Sequence, residues 1–163
     1  MHDEKQVIAR LPYPVTQPHR LAVASEVATM DLARRNGVPV PTVFDYSVDA
    51  NNSVGAEYIL MEKLPGRPLG DVWYTMAEDQ RAKVLSAVVD CEARLSAIEL
   101  PANGSVFYED NLPPPMNRES ISVDEGGLKK LCVGPDVSLK LWYEERETLD
   151  ISRGPCKFVV PMS

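Results

Sequence analysis

Apolar and polar positions alternate most clearly over residues 56–64, where Tyr58, Leu60 and Glu62 share one side and Ile59, Met61 and Lys63 the other. Apolar residues stand in both sets, so the stretch predicts a central strand covered on both faces. It stops at Pro65-Gly66. A proline without a donor and a glycine free to take positive φ lead the chain out of the ladder as an open connector, with backbone groups facing outward beside a buried strand. Such free groups can read a flat ligand. Residues 6–11 predict a short strand closed by Pro12 and Pro14, and residues 41–47 a second strand that a turn over 49–53 joins to the central one as a hairpin.

Helical spacing accounts for most of the rest. Residues 21–36 are rich in Ala, Leu and Met and are stopped by Gly37, Pro39 and Pro41, which predicts a helix. At 100° per residue Ala22, Val23, Met30 and Ala33 share a face, and Glu26 falls among them. Residues 69–75 predict a short helical turn. Residues 78–98 predict the longest helix, with Val84, Val88, Cys91, Leu95 and Ile98 at core spacing and Leu100-Pro101 at its end. Cys91 then reads as a small core residue rather than a nucleophile. After Asn103 the pattern weakens: Ser105–Tyr108 fits a short strand, Pro113-Pro114-Pro115 and residues 124–127 mark loops, and Leu141-Trp142-Tyr143 fits helix or strand equally. The apolar tail from Lys157 ends abruptly. The element order predicts an α+β fold, a small, mostly antiparallel sheet of about three strands packed by the helix over 21–36.

Glu26 admits two readings. An acid in the first half of a helix favours the dipole by about 0.3–1 kcal/mol. A carboxylate on a packed face instead requires a buried cation, and Arg10, on the strand before the helix, is the candidate.

Composition narrows the partners. The 163 residues suffice for one domain with a core, or for a piece of a larger one. A net charge of −7, from 17 basic and 24 acidic residues, argues against nucleic acid or an anionic membrane as the main partner. Cys91, Cys132 and Cys156 are an odd number without C-x-x-C spacing, so neither a zinc knuckle nor a disulfide framework is indicated and a reducing compartment is expected. No run suits a membrane span, and residues 1–5 suit neither a signal nor a transit peptide, so a soluble, cytoplasmic protein is expected. A metal hydrolase using Glu109 and Asp110, or Asp124 and Glu125, has no supporting histidines.

Taken together, VIARLP, ASEVATMDLARRNGVPVPTVFDY, GAEYILMEKLPGRPLGDVW, GSVFYEDNL, CVGPD and the later RGP resemble the phosphotransferase enzyme family of aminoglycoside phosphotransferase-like proteins. The resemblance runs along nearly the whole chain and implies a protein-kinase-like fold that is incomplete here: residues 1–64 as N-lobe, 65–102 as hinge and helical linker, and 103–163 as an irregular, insert-like segment. It implies that Arg10 neutralises ATP phosphates and pairs with Glu26. It also implies that Met61, Glu62, Lys63 and Leu64 form a hinge whose backbone meets adenine, with Leu60 or Met61 lining the apolar pocket. Met61 fits ordinary core equally well. ATP and magnesium are the parent family's cofactors, the acceptor is a small-molecule hydroxyl, and mitochondrial association is a feature of some relatives.

The departures from the family are specific. Only five residues precede Gln6, too few for a phosphate-covering hairpin, and neither His2 nor His19 stands in an H-x-D catalytic loop; none follows Gly66. No catalytic and no metal-binding residue is therefore assigned. The expectation is a truncated family member without turnover of its own, or alternatively a non-catalytic module that binds nucleotide or protein.

Overall fold

The computed structural model describes residues 6–13, 15–122 and 128–157. Strand β1 (Val7–Arg10), helix α1 (Leu21–Arg35), strand β2 (Val43–Ser47) and strand β3 (Tyr58–Glu62) come first, and the three strands form an antiparallel sheet in the order β1-β3-β2. The stretch richest in strand formers thus holds the middle. Arg10 opposes Ile59 and Ile8 opposes Met61, so these four point to one side, toward α1, where Ile59 is 1% exposed.

The second face of β3 departs from expectation. Tyr58, Leu60 and Glu62 are only half-buried, because α1 covers one face of the sheet and no described element seals the other. Edge strand β1 is exposed at every residue.

Beyond Gly66 come α2 (Leu69–Val72), a 3₁₀ turn over Trp73–Thr75 and the long helix α3 (Glu78–Ser96). The expected core stripe of α3 is not buried: Val88 is 47% and Leu95 48% exposed, and none of its residues is buried. Heptad-like spacing shows that a helix has an apolar side, not that something lies against it. Cys91 is accordingly half-buried and not a core residue. Ile98 and Leu100, just past the helix, do reach the core.

The stretch 103–163, expected to be irregular apart from a short strand at Ser105–Tyr108, contains that strand within a second antiparallel sheet. Strands β4 (Ser105–Tyr108), β5 (Glu119–Ser120) and β6 (Leu131–Gly134) are ordered β4-β6-β5. Every residue of β6 is buried. This sheet packs on α1, which therefore lies between two sheets. Val23, Val27, Ala28 and Leu32 join Ile59, Val106, Tyr108 and Leu131 in one cluster, while Leu21 and Ala24 join Phe107, Leu112 and Cys132 in another.

Burial on two sides corrects the face assigned to α1. Of the expected stripe Val23 and Ala33 are buried, but Ala22, Met30 and the Glu26 among them are only half-buried, and the buried arc extends through Leu21, Ala24, Val27 and Ala28. The small side chains of Ala24 and Ala28 let the second sheet approach closely. Cys132 is fully buried, and burial, reinforced by the charge of Glu109, pushes its thiol up to about 11, so it stays protonated.

The segment around Trp142 is neither α-helix nor strand. Two 3₁₀ turns, Leu139–Leu141 and Glu144–Thr148, flank it; the indole Nε1–H donates to the Asp136 carbonyl at 2.7 Å, and the Arg153 guanidinium lies 4.1 Å from the ring centroid. Asn103 and Cys156 exchange backbone hydrogen bonds of 2.8 and 2.9 Å that close the segment. The expectations for residues 1–5 and Pro14, for the loop at 124–127 with Asp124 and Glu125, and for the tail after Lys157 lie outside the described residues.

Candidate functional site

Arg10 ends β1 on the side facing α1, and Glu26 stands in the second turn of that helix, so strand and helix bring the two together. The Arg10 Nη1 donates to Glu26 Oε1. The pair is not buried as the sequence suggested: the Arg10 side chain is 58% exposed and that of Glu26 27%. Glu26 lies outside the buried arc of α1, and its partner sits on an open edge strand. A cleft of about 240 Å³ adjoins the pair, walled by Leu11, Pro12, Ala22 and Ile59. At this exposure Glu26→Ala is expected to cost under about 1 kcal/mol in a urea melt, not the ~3–5 kcal/mol of a broken buried pair. A loss of several kcal/mol would contradict that.

The hinge stretch is less open than its Pro-Gly end suggested. The Glu62 N–H donates to the Thr42 carbonyl at 2.8 Å and the Lys63 N–H to the Gln6 carbonyl at 3.3 Å, extending the ladder past β3. The Glu62 carboxylate accepts the Thr42 N–H at 3.1 Å. Leu64 is the first position whose backbone has no backbone partner among the described residues, and it is 51% exposed. Leu60 and Met61 face opposite sides of the sheet, so they do not line one pocket; Met61 packs on the core beside α1.

Two arrangements around α1 carry no sequence assignment. Glu57, 7% exposed, accepts the Arg20 N–H at 3.1 Å at the start of α1, where no neighbouring side chain caps the helix, and His19 Nδ1 lies 3.6 Å from the same carboxylate. An anion there complements the helix dipole and fixes where α1 begins. Farther along, Asp31 accepts from Arg35 at 2.6 Å, from Arg34 at 3.3 Å and from the Tyr108 hydroxyl of β4 at 2.9 Å. Burial pushes the Asp31 carboxyl up, but these hydrogen bonds and the Arg35 charge outweigh it and hold it below the ordinary value of 3.8. Burial, then the Asp31 hydrogen bond, pushes the Tyr108 phenol far up, so it remains a donor. The i, i+3 and i, i+4 spacing of Asp31, Arg34 and Arg35 was the available signal. Among the described residues no three His, Cys, Asp or Glu side chains converge as a metal site would require, and no helix is long and apolar enough to cross a membrane.

Comparison with known proteins gives a consistent picture. The model of the phosphotransferase enzyme family matches residues 2–153. A subtelomeric hrmA-associated cluster protein of Aspergillus fumigatus is 37% identical over 160 residues, covering 98% of this chain and 30% of its own length. The yeast protein named altered inheritance of mitochondria protein 9, mitochondrial, from Saccharomyces cerevisiae, is 30% identical over 175 residues, covering 98% of this chain and 28% of its own length. Its namesake from Eremothecium gossypii is 31% identical over 153 residues, 86% of this chain and 25% of its own. The chain thus spans less than a third of these relatives' length. No solved structure matches.

Proposed function

The chain belongs to the phosphotransferase enzyme family, and from that membership we propose that it forms the nucleotide-facing, kinase-N-lobe-like part of an ATP-dependent phosphotransferase acting on a small-molecule hydroxyl. The observation that carries this reading is the Arg10–Glu26 pair joining β1 to α1 beside an open cleft. A guanidinium held by one carboxylate keeps other donors for phosphate oxygens, and Arg suits that role through its planar fork. The Leu64 amide is the donor left for the adenine edge, and Met61, on the Arg10 side of the sheet, is the hinge residue whose apolar side chain shares that face.

ATP with magnesium is the cofactor the family implies. Magnesium would neutralise charge on the phosphates, and none of these residues is assigned to hold it. Transfer also requires a positioned base, and no H-x-D sequence follows Gly66. Losing a single electrostatic stabiliser of a transition state costs on the order of 3–4 kcal/mol, so we propose no turnover by these 163 residues alone. The second reading, a non-catalytic nucleotide- or protein-binding module, draws on the exposed apolar side of α3 at Leu85, Val88 and Leu95. A reducing compartment suits the three free thiols, cytoplasmic or within mitochondria as the yeast relative's name says of that protein.

Thermal melting with ATP and magnesium tests the nucleotide role. At ten times the dissociation constant, binding stabilises by about 1.4 kcal/mol, a rise of roughly 3–6 °C for a chain of this size. Arg10→Ala should abolish the rise while its own melt without nucleotide stays near the parent's. Identical melting of both proteins with and without nucleotide overturns the reading.

A further inference from the structure

We propose that the cleft between α1, β2 and β4, away from the Arg10–Glu26 pair, binds a small aromatic carboxylate. The cleft encloses about 260 Å³. Its charged end is set by Lys129, whose ammonium lies 4.9 Å from the centroid of the Tyr108 ring, 5.2 Å from that of Tyr46 and 3.3 Å from the Tyr46 hydroxyl. The two rings stack at 6.4 Å and form the wall on which that ammonium rests. Ring faces attract a cation but leave its charge uncancelled. Among the described residues no carboxylate lies within ion-pair distance of Lys129. Of the two acids lining the cleft, Asp31 is held by Arg35 at 2.6 Å and by the Tyr108 hydroxyl at 2.9 Å, and Asp45 accepts from the Tyr58 hydroxyl at 2.8 Å. Among these residues the Lys129 ammonium thus lines the cleft with only ring faces and the Tyr46 hydroxyl as partners.

The remaining lining selects the rest of the ligand. Met30, Val43 and Phe44 give the cleft an apolar side, with Phe44 54% exposed at the irregular point of β2 where the register with β3 shifts. Methionine and an aromatic ring make favourable contact with a flat apolar group. The volume lies below the roughly 300–1,000 Å³ of pockets for drug-sized ligands, which suits one ring bearing one acid. Asp31 and Asp45 line the cleft together with Arg34 and Lys129, so its formal charges balance and phosphate, which cannot use the apolar side, gains no preference from them. A small aliphatic acid would satisfy Lys129 but leave the apolar side in water.

Calorimetric titration with benzoate tests this. Saturable millimolar binding is expected, with acetate and inorganic phosphate each about tenfold weaker or more. Lys129→Met should weaken benzoate by about tenfold or more, whereas Lys130→Met, outside the cleft, should leave it unchanged. Phe44→Asp, at an exposed position, adds a carboxylate at the rim and should weaken benzoate comparably even if Lys129→Met loses its native circular dichroism. Absence of saturation, equal binding of phosphate and benzoate, or unchanged benzoate affinity in Phe44→Asp or in folded Lys129→Met overturns the proposal.

Discussion

Phe107→Ala is expected to lower the stability of the chain by about 3–5 kcal/mol in urea melts, the range for removing a fully buried aromatic ring. Phe107 is 0% exposed and is one of the side chains through which β4 meets α1, packed with Leu21, Ala24, Leu112 and Cys132. There is no slack around it: a Cβ on Gly134 of β6 would fall 2.9 Å from the ring and 2.7 Å from Leu112. The void left by alanine therefore closes only through backbone shifts that the β4–β6 ladder resists. Tyr74→Ala is the matched control, since Tyr74 is 89% exposed and its loss should fall within about 0.5 kcal/mol of zero. If Phe107→Ala costs no more than Tyr74→Ala, the second sheet is an appendage and α1 does not depend on it.

That second sheet is also where the sequence was least legible. The strand at 56–64, the helix at 21–36 and the hairpin between them announce themselves through long runs, a glycine-proline stop and a polar turn, all local signals. Strand β6 is four residues, Leu131–Gly134, buried on both faces, and so lacks the alternation that marks a strand. Its partners β4 and β5 pair with it across loops, and nothing local specifies those pairings. The same limit explains both misassigned helix faces. Because α1 is covered from two sides, its buried arc is wider than one stripe and is centred away from Glu26; α3 has a clear stripe and no described element to cover it.

At the candidate site the pairing of Arg10 with Glu26 was legible, and its burial was not. Burial depends on what lies over an edge strand, which depends in turn on the rest of the fold. The hinge was readable as a strand end, but the backbone bonds that Thr42 and Gln6 make to Glu62 and Lys63 leave Leu64 as the first open position. Glu57 and Asp31 went unassigned because their decisive partners, the Arg20 amide and the Tyr108 hydroxyl, are 37 and 77 residues away. The acids buried most deeply are thus those placed by tertiary contacts.

Asp31→Asn is accordingly expected to cost far more than any change at Glu26, about 3 kcal/mol, toward the lower end of the range for breaking a buried ion pair. The Arg35 side chain is 9% exposed and that of Asp31 15%, so removing the charge strands a guanidinium almost out of water. Little else can compensate it: Arg35 also donates to the Lys129 carbonyl at 3.0 Å, and its Nε already lacks a partner among the described residues. Asparagine keeps the size and one carbonyl oxygen, so the measured loss reports charge rather than a cavity. Arg34→Ala serves as the contrast, because Arg34 is 47% exposed and 3.3 Å from Asp31, and its removal should cost under about 1 kcal/mol. The pH dependence provides a second test. With its folded value held below the ordinary 3.8, Asp31 stays ionised in the native chain where the unfolded chain would protonate it. Its contribution is then fully present above 3.8 and is lost as pH falls through the lower folded value. The stability gap between the parent and Asp31→Asn should stay flat over about pH 5–8 and close on further acidification, since a protonated aspartic acid leaves Arg35 as unpaired as asparagine does. A gap that persists undiminished into acid, or an Arg34→Ala loss as large as that of Asp31→Asn, would show that the Asp31 charge is not what compensates Arg35.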